Sequence, residues 1–171
     1  TARDLETPGV TVVPMGITFA DGTATVDDGS MTKDEFFTRL AEDSKLPRTS
    51  QPSPASFIEL FEEAADAGDE VIVITVAQKL SGTYQCASLA AAETDAKVYI
   101  IDSETATQGE AIIVREAIRL REQGLSASRI AAELETFKKR VRVVAIVDSL
   151  KHLQKGGRLP AAVKKAFGAK I

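Results

Sequence analysis

The run Val71-Ile72-Val73-Ile74-Thr75-Val76 constrains the fold of this 171-residue chain more than any other feature. Every side chain in it is β-branched, stiff about χ1 and suited to a pleated surface. It does not alternate apolar with polar, so it fits a strand buried on both faces, as in a parallel sheet sandwiched by helices. Helices are predicted on both sides of it. Upstream, Ser53 is an N-cap before Pro54, and Phe57, Leu60, Phe61 and Ala64 follow at helical spacing until Gly68. Downstream, Lys79-Leu80-Ser81-Gly82-Thr83-Tyr84 leads into an alanine-rich helix ending near Glu93.

The alternation continues with a strand over 98–101 that ends at Asp102-Ser103, then a helix over 108–123 closed by Gly124. Ser126 caps a further helix whose inner stripe is Ile130, Leu134 and Phe137. A strand is predicted over 141–147; Asp148-Ser149-Leu150 then enters a short helix broken by Gly156-Gly157, and a last helix covers 160–167. Such alternation predicts the α/β class, with an open, mostly parallel sheet flanked by helices. Ahead of this core, 10–19 reads as a strand bent or ended near Pro14, and Asp21-Gly22 and Asp28-Gly29 are turn formers. Thr32-Lys33-Asp34-Glu35 spells a capping box that opens a helix with Phe36, Phe37, Leu40 and Ala41 on one side.

Composition narrows the function classes. With 44% hydrophobic and 27% charged residues, the chain can bury enough surface to offset its ordering entropy, which excludes disorder. No apolar run approaches the ~20 residues of a membrane span, so no transmembrane segment is expected. A net charge of −4 and 5% aromatic residues argue against a nucleic-acid partner. A single cysteine excludes an internal disulfide, and a single histidine leaves few nitrogen ligands for a metal. Thr1-Ala2-Arg3-Asp4 lacks the apolar region of a secretion signal, and a cytoplasmic setting is expected.

In open α/β sheets, ligands bind beyond the carboxyl ends of the strands. Three hydroxyl-bearing segments compete for that place: Thr75 with Ser81-Gly82-Thr83, Asp102-Ser103-Glu104-Thr105, and Thr49-Ser50-Gln51. A hydroxyl and free amides at a helix start suit an anion, and a glycine there lets a ligand approach the backbone. The plainer reading is that Ser81 caps its helix, that Thr49, Ser50 and Gln51 only close a loop, and that Asp102 caps the following helix. Catalysis finds no support in the residues. No G-x-S-x-G elbow or phosphate-binding glycine motif occurs, His152 is the only histidine and lies on a short helix, and Cys86 falls among alanines as a packed thiol. Lys155-Gly156-Gly157-Arg158 reads as a helix terminator with charged neighbours. The residues alone therefore point to a binding domain.

The segments Thr49-Ser50-Gln51-Pro52-Ser53, Lys79-Leu80-Ser81-Gly82-Thr83-Tyr84-Gln85, the 98–103 strand and Lys155-Gly156-Gly157-Arg158 stand in an order that resembles the DegV family of fatty-acid-binding proteins. The resemblance covers essentially the whole chain. It implies that residues 1–150 are an N-terminal α/β domain and 151–171 connecting helices leading into a second α/β domain largely missing here. It also implies a lipid carrier rather than an enzyme, binding a long-chain fatty acid such as palmitate without a cofactor or metal. The fatty-acid-binding residues would be Thr49, Ser50, Ser81 and Gly82, with the carboxylate on the alcohols of Thr49 and Ser81. The carrier would present its acid to a partner fatty acid kinase that forms the acyl phosphate for phospholipid synthesis. Arg158 would lie near the head-group mouth, as a candidate for partner docking or for the domain interface. Two departures stand out: Ala77-Gln78 where the family often has paired serines, and Cys86 in place of a common serine. The alternatives are an enzyme subunit like the dihydroxyacetone kinases, which carry a covalent substrate histidine in a similar crevice, a domain for a non-lipid small molecule, and a pure protein-interaction domain.

Overall fold

The computed structural model describes residues 7–43, 45–144, 146 and 151–158. They form an α/β structure in two compact units, one of residues 7–13 and 51–143, the other of the remaining described residues.

The first unit is built on the β-branched run. Strand β4 (Val71–Thr75) pairs in parallel with β5 (Val98–Asp102), placing Val71 opposite Val98 and Thr75 opposite Asp102. Helix α3 (Thr83–Ala92) connects the two strands. The run has apolar side chains on both faces because helices cover both. Val71 and Val73 pack with Phe57, Phe61, Cys86, Ala87 and Ala90, from α2 (Pro54–Asp66) and α3. Ile72 and Ile74 pack with Ile113, Leu120, Ile130 and Leu134, from α4 (Gln108–Glu122) and α5 (Ala127–Phe137). The caps follow the sequence: Ser53 Oγ accepts from the Ser56 amide at 3.2 Å, and Ser126 Oγ from the Arg129 amide at 3.4 Å. At the far end of α4, Gly124 adopts φ +79° and the Leu125 amide reaches back to the Leu120 carbonyl, the bond pattern that closes a helix on a left-handed residue.

The second unit holds three three-residue strands in an antiparallel sheet of order β2-β1-β3, with β1 Gly16–Thr18, β2 Ala24–Val26 and β3 Arg48–Ser50. Its hairpin is set by Asp21-Gly22: Gly22 takes φ +86°, and Asp21 Oδ1 accepts from the Thr23 amide at 2.8 Å. Helix α1 (Lys33–Glu42) starts with the full capping box of Thr32 and Glu35. Its Arg39 meets Asp21 at 2.8 Å and lies 3.8 Å from the ring centroid of Phe19, so one side chain ties helix to hairpin. A short helix, α6 (Lys151–Lys155), belongs to this unit, and His152 falls within its backbone.

On α1, Phe36 and Leu40 are half-buried, whereas Phe37 is 60% exposed. Two expectations are corrected. The 10–19 stretch forms a strand only at Gly16–Thr18. The predicted 141–147 strand is not formed at its described residues, 141–144 and 146. Local bonds take that backbone instead: the Val141 amide donates to the Lys138 carbonyl, and Arg142 Nη1 donates to the carbonyls of Lys139 and Val141. A β-branched segment carries a tendency to pair, but pairing needs a neighbouring strand edge. Asp148-Ser149-Leu150 and the 160–167 helix lie outside the described residues.

Candidate functional site

The carboxyl ends of β4 and β5 carry the polar residues of the first unit. Asp102 is buried, and its Oδ1 accepts from the amides of Gln78 and Glu104 at 3.1 and 3.0 Å. It thus ties the loop after β4 to the loop after β5. This corrects its expected role, since α4 begins after Thr107 and takes no cap from Asp102. Ser103 is buried as well, exchanging bonds with the backbone of Thr105. Beside them Lys138 sends its ammonium to the Asp102 carbonyl at 3.0 Å, to Glu135 at 2.8 Å and to Glu104 at 3.1 Å. Burial opposes the charge on Lys138, but the two carboxylates outweigh it and hold the amine above its ordinary pKa. No sequence signal marked this lysine, because its neighbours Lys139 and Arg140 look identical to it and are exposed.

Ser81 and Gly82 stand together where α3 begins. Gly82 takes the capping position and no side chain caps the helix. The Ser81 hydroxyl lies 2.8 Å from that of Thr83 and accepts from the Thr83 amide at 3.3 Å. The result is a pair of half-buried alcohols beside the first-turn amides of a helix, a place where the macrodipole favours negative charge. Gly82 differs from expectation in what approaches it. A Cβ there would run into Oε1 of Gln51 and come within 3.1 Å of its Cδ. On that side of the glycine the close approach is made by a side chain of the protein.

Cys86, one turn along α3, is buried as expected, and its thiol donates to the Pro52 carbonyl at 3.1 Å. Burial pushes the thiol pKa up, and a hydrogen bond with the Gln51 side chain offsets part of that rise. The thiol is thus held protonated and packed.

Thr75 ends β4 on the face of Val71 and Val73, towards α2 and α3. It is 3% exposed, and its Oγ1 has no hydrogen-bond partner among the described residues. An enclosed hydroxyl without a partner costs roughly 1–3 kcal/mol. Thr75→Val, nearly isosteric, is expected to raise stability by about 1 kcal/mol, read as a higher urea midpoint at unchanged slope. A lower midpoint would mean that the hydroxyl is satisfied in solution.

Thr49 and Ser50 belong to the other unit, on β3, and both are exposed. Thr49 pairs with Ile17 and Ser50 with Gly16, whose bare Cα gives the Ser50 hydroxyl its room. The Thr49 hydroxyl makes no hydrogen bond among the described residues. Arg158, also in this unit, follows a helix terminator of the expected kind. Gly157 has φ +74°, the Arg158 amide reaches the Leu153 carbonyl at 3.0 Å, and the exposed guanidinium donates to the Gly156 carbonyl at 2.6 Å. Among the described residues, no group of three or more His, Cys, Asp or Glu is placed to hold a metal ion, and no helix is long and apolar enough to cross a membrane.

The fold and these residues define an α/β domain with alcohols gathered at a helix start beyond the strand ends. The chain belongs to the DegV family, described as one of uncharacterised proteins, which it matches over residues 1–169. It is 36% identical over 156 residues to a DegV domain-containing protein of Caldanaerobacter subterraneus, covering 91% of this chain and 55% of the relative. It therefore spans about half the length of the curated relatives it matches. Among solved structures, a fatty-acid-binding DegV family protein from Thermus thermophilus superposes with a TM-score of 0.80 at 34% identity, over 95% of this chain and 57% of the other. A stearic-acid-binding protein from Eubacterium ventriosum gives 0.79 at 30% identity, over 95% and 59%. DegV of Bacillus subtilis, also a fatty-acid-binding protein, gives 0.78 at 28% identity, over 93% and 56%.

Proposed function

We propose that this chain is the first domain of a fatty-acid carrier, that it binds a long-chain acid such as palmitate, and that Thr49 and Ser81 hold the carboxylate, with Ser50 and Gly82 beside them. The observation that supports this most is the paired, half-buried alcohols of Ser81 and Thr83 at the amide end of α3, in a chain whose solved relatives bind fatty acids. Burying about 14 methylenes at ~0.8 kcal/mol each supplies roughly 11 kcal/mol before association costs. Each hydrogen bond to the charged head adds about 1.5–3 kcal/mol. The tail thus sets most of the affinity, and the alcohols fix which end is presented.

The carrier makes and breaks no covalent bond itself. A partner fatty acid kinase in the cytoplasm uses the acid for phospholipid synthesis: a carboxylate oxygen attacks the phosphorus of a phosphoryl donor and the donor's leaving group departs. Alcohols suit that use, because they orient the carboxylate without a permanent salt bridge that would quench its nucleophilicity. Arg158, exposed at the end of α6, is the candidate contact for the kinase or the second domain.

In a calorimetric titration with palmitate, Ser81→Ala is expected to weaken binding about tenfold, the loss of one charge-assisted hydrogen bond. Acyl phosphate formation by the kinase is expected to fall much further. Equal losses in the two assays would remove the orienting role, and unchanged binding would remove Ser81 from the site.

A further inference from the structure

Gln51 is an exposed residue with an unusually specific contact for one. Its carboxamide fills the space that the missing side chain of Gly82 leaves, and the same side chain acts against the rise that burial gives the Cys86 thiol pKa. The next residue, Pro52, is buried and receives the Cys86 S–H on its carbonyl, and Ser53 then caps α2. Three consecutive residues thus bind the first turn of α3 to the start of α2. Helix α3 has no side-chain cap of its own, and the Gln51 side chain packs against its capping residue, Gly82.

We propose that Gln51 is a positioning residue for the Ser81 alcohol, acting through Gly82. The carboxamide sets the angle at which the chain enters α3, and with it the placement of the Ser81 and Thr83 hydroxyls. The inference rests on the reading of Ser81 as a head-group contact. It adds that glycine is required at 82 because Gln51 occupies the site of its side chain, and that the two positions act as one unit.

The test is a double-mutant cycle on the chain with Gln51→Ala, Gly82→Ala and both together, read by palmitate titration and by the rate of Cys86 modification by a thiol reagent. Gly82→Ala is expected to weaken palmitate binding about tenfold, and Gln51→Ala about fivefold. The double variant is expected to bind no more weakly than Gln51→Ala alone, since the added methyl then finds room. Both single variants expose Cys86 and quicken its labelling several-fold, and the double variant labels no faster than Gln51→Ala. Additive losses of affinity in the double variant, or labelling that neither single substitution changes, would overturn the proposal. A wild-type chain that binds no palmitate while the labelling cycle still shows rescue would instead refute the fatty-acid reading and leave the Gln51–Gly82 unit standing.

Discussion

Replacing Phe61 by alanine is expected to cost the parallel unit about 3–5 kcal/mol, enough to consume much of the stability of an ordinary domain. Phe61 is 2% exposed and lies 5.9 Å from Phe57, ring centroid to centroid. The rest of its cluster is Cys86, Ala87 and Ala90 on α3, with Val71 and Val73 of β4 packed against it. Short and β-branched side chains are poorly able to swing into the vacated volume, so the cavity persists and its lining loses contacts outright. The loss is read as a fall in the urea midpoint, with a truncation at exposed Phe37 as the control. A cost below about 1 kcal/mol would show that α2 and α3 close over the gap.

Lys138→Met is expected to cost about 2 kcal/mol at neutral pH. Methionine keeps most of the packing of the stem, which is 7% exposed as a side chain, but leaves the Asp102 carbonyl without its donor. The carboxylates of Glu104 and Glu135, themselves about half in water, regain solvent, which keeps the cost below that of a fully buried pair. The folded-state amine titrates above its ordinary value of 10.5. Its contribution is therefore complete below that pH and is lost as pH rises through the folded value. The gap in stability between wild type and variant should hold through neutral pH and narrow only in strong alkali. A gap that closes near neutrality would mean that the ammonium is not what holds the loop.

Helix existence was legible because its signals are local. Thr32, Ser53 and Ser126 bond amides within three residues, and glycines close α2 and α4 within one turn, so short stretches of sequence carry the information. Strands β4 and β5 were legible from β-branched runs that need no partner to be noticed. The 141–147 segment is also rich in β-branched residues and still lies outside any strand at its described residues, since pairing depends on an edge elsewhere in the chain. Strand β3 of the antiparallel sheet was hidden for the opposite reason: Arg48, Thr49 and Ser50 are exposed and carry no apolar pattern. At the candidate site, the alcohols could be named from motifs, but the Gln51–Gly82 contact could not. A glycine records that space is needed, and only the structure identifies what fills it. The role of Lys138 and the bridging by Asp102 were invisible likewise, because the bonds that define them, Lys138 to the Asp102 carbonyl and the Gln78 amide to Asp102, join elements far apart in sequence.

The carrier reading is tested most directly by native mass spectrometry of the chain purified from a bacterial host. The account predicts a protein species heavier by the mass of one long-chain fatty acid, with that adduct depleted when Thr49→Val and Ser81→Ala are combined. A chain that emerges at its own mass alone, and stays so after incubation with palmitate, would contradict it.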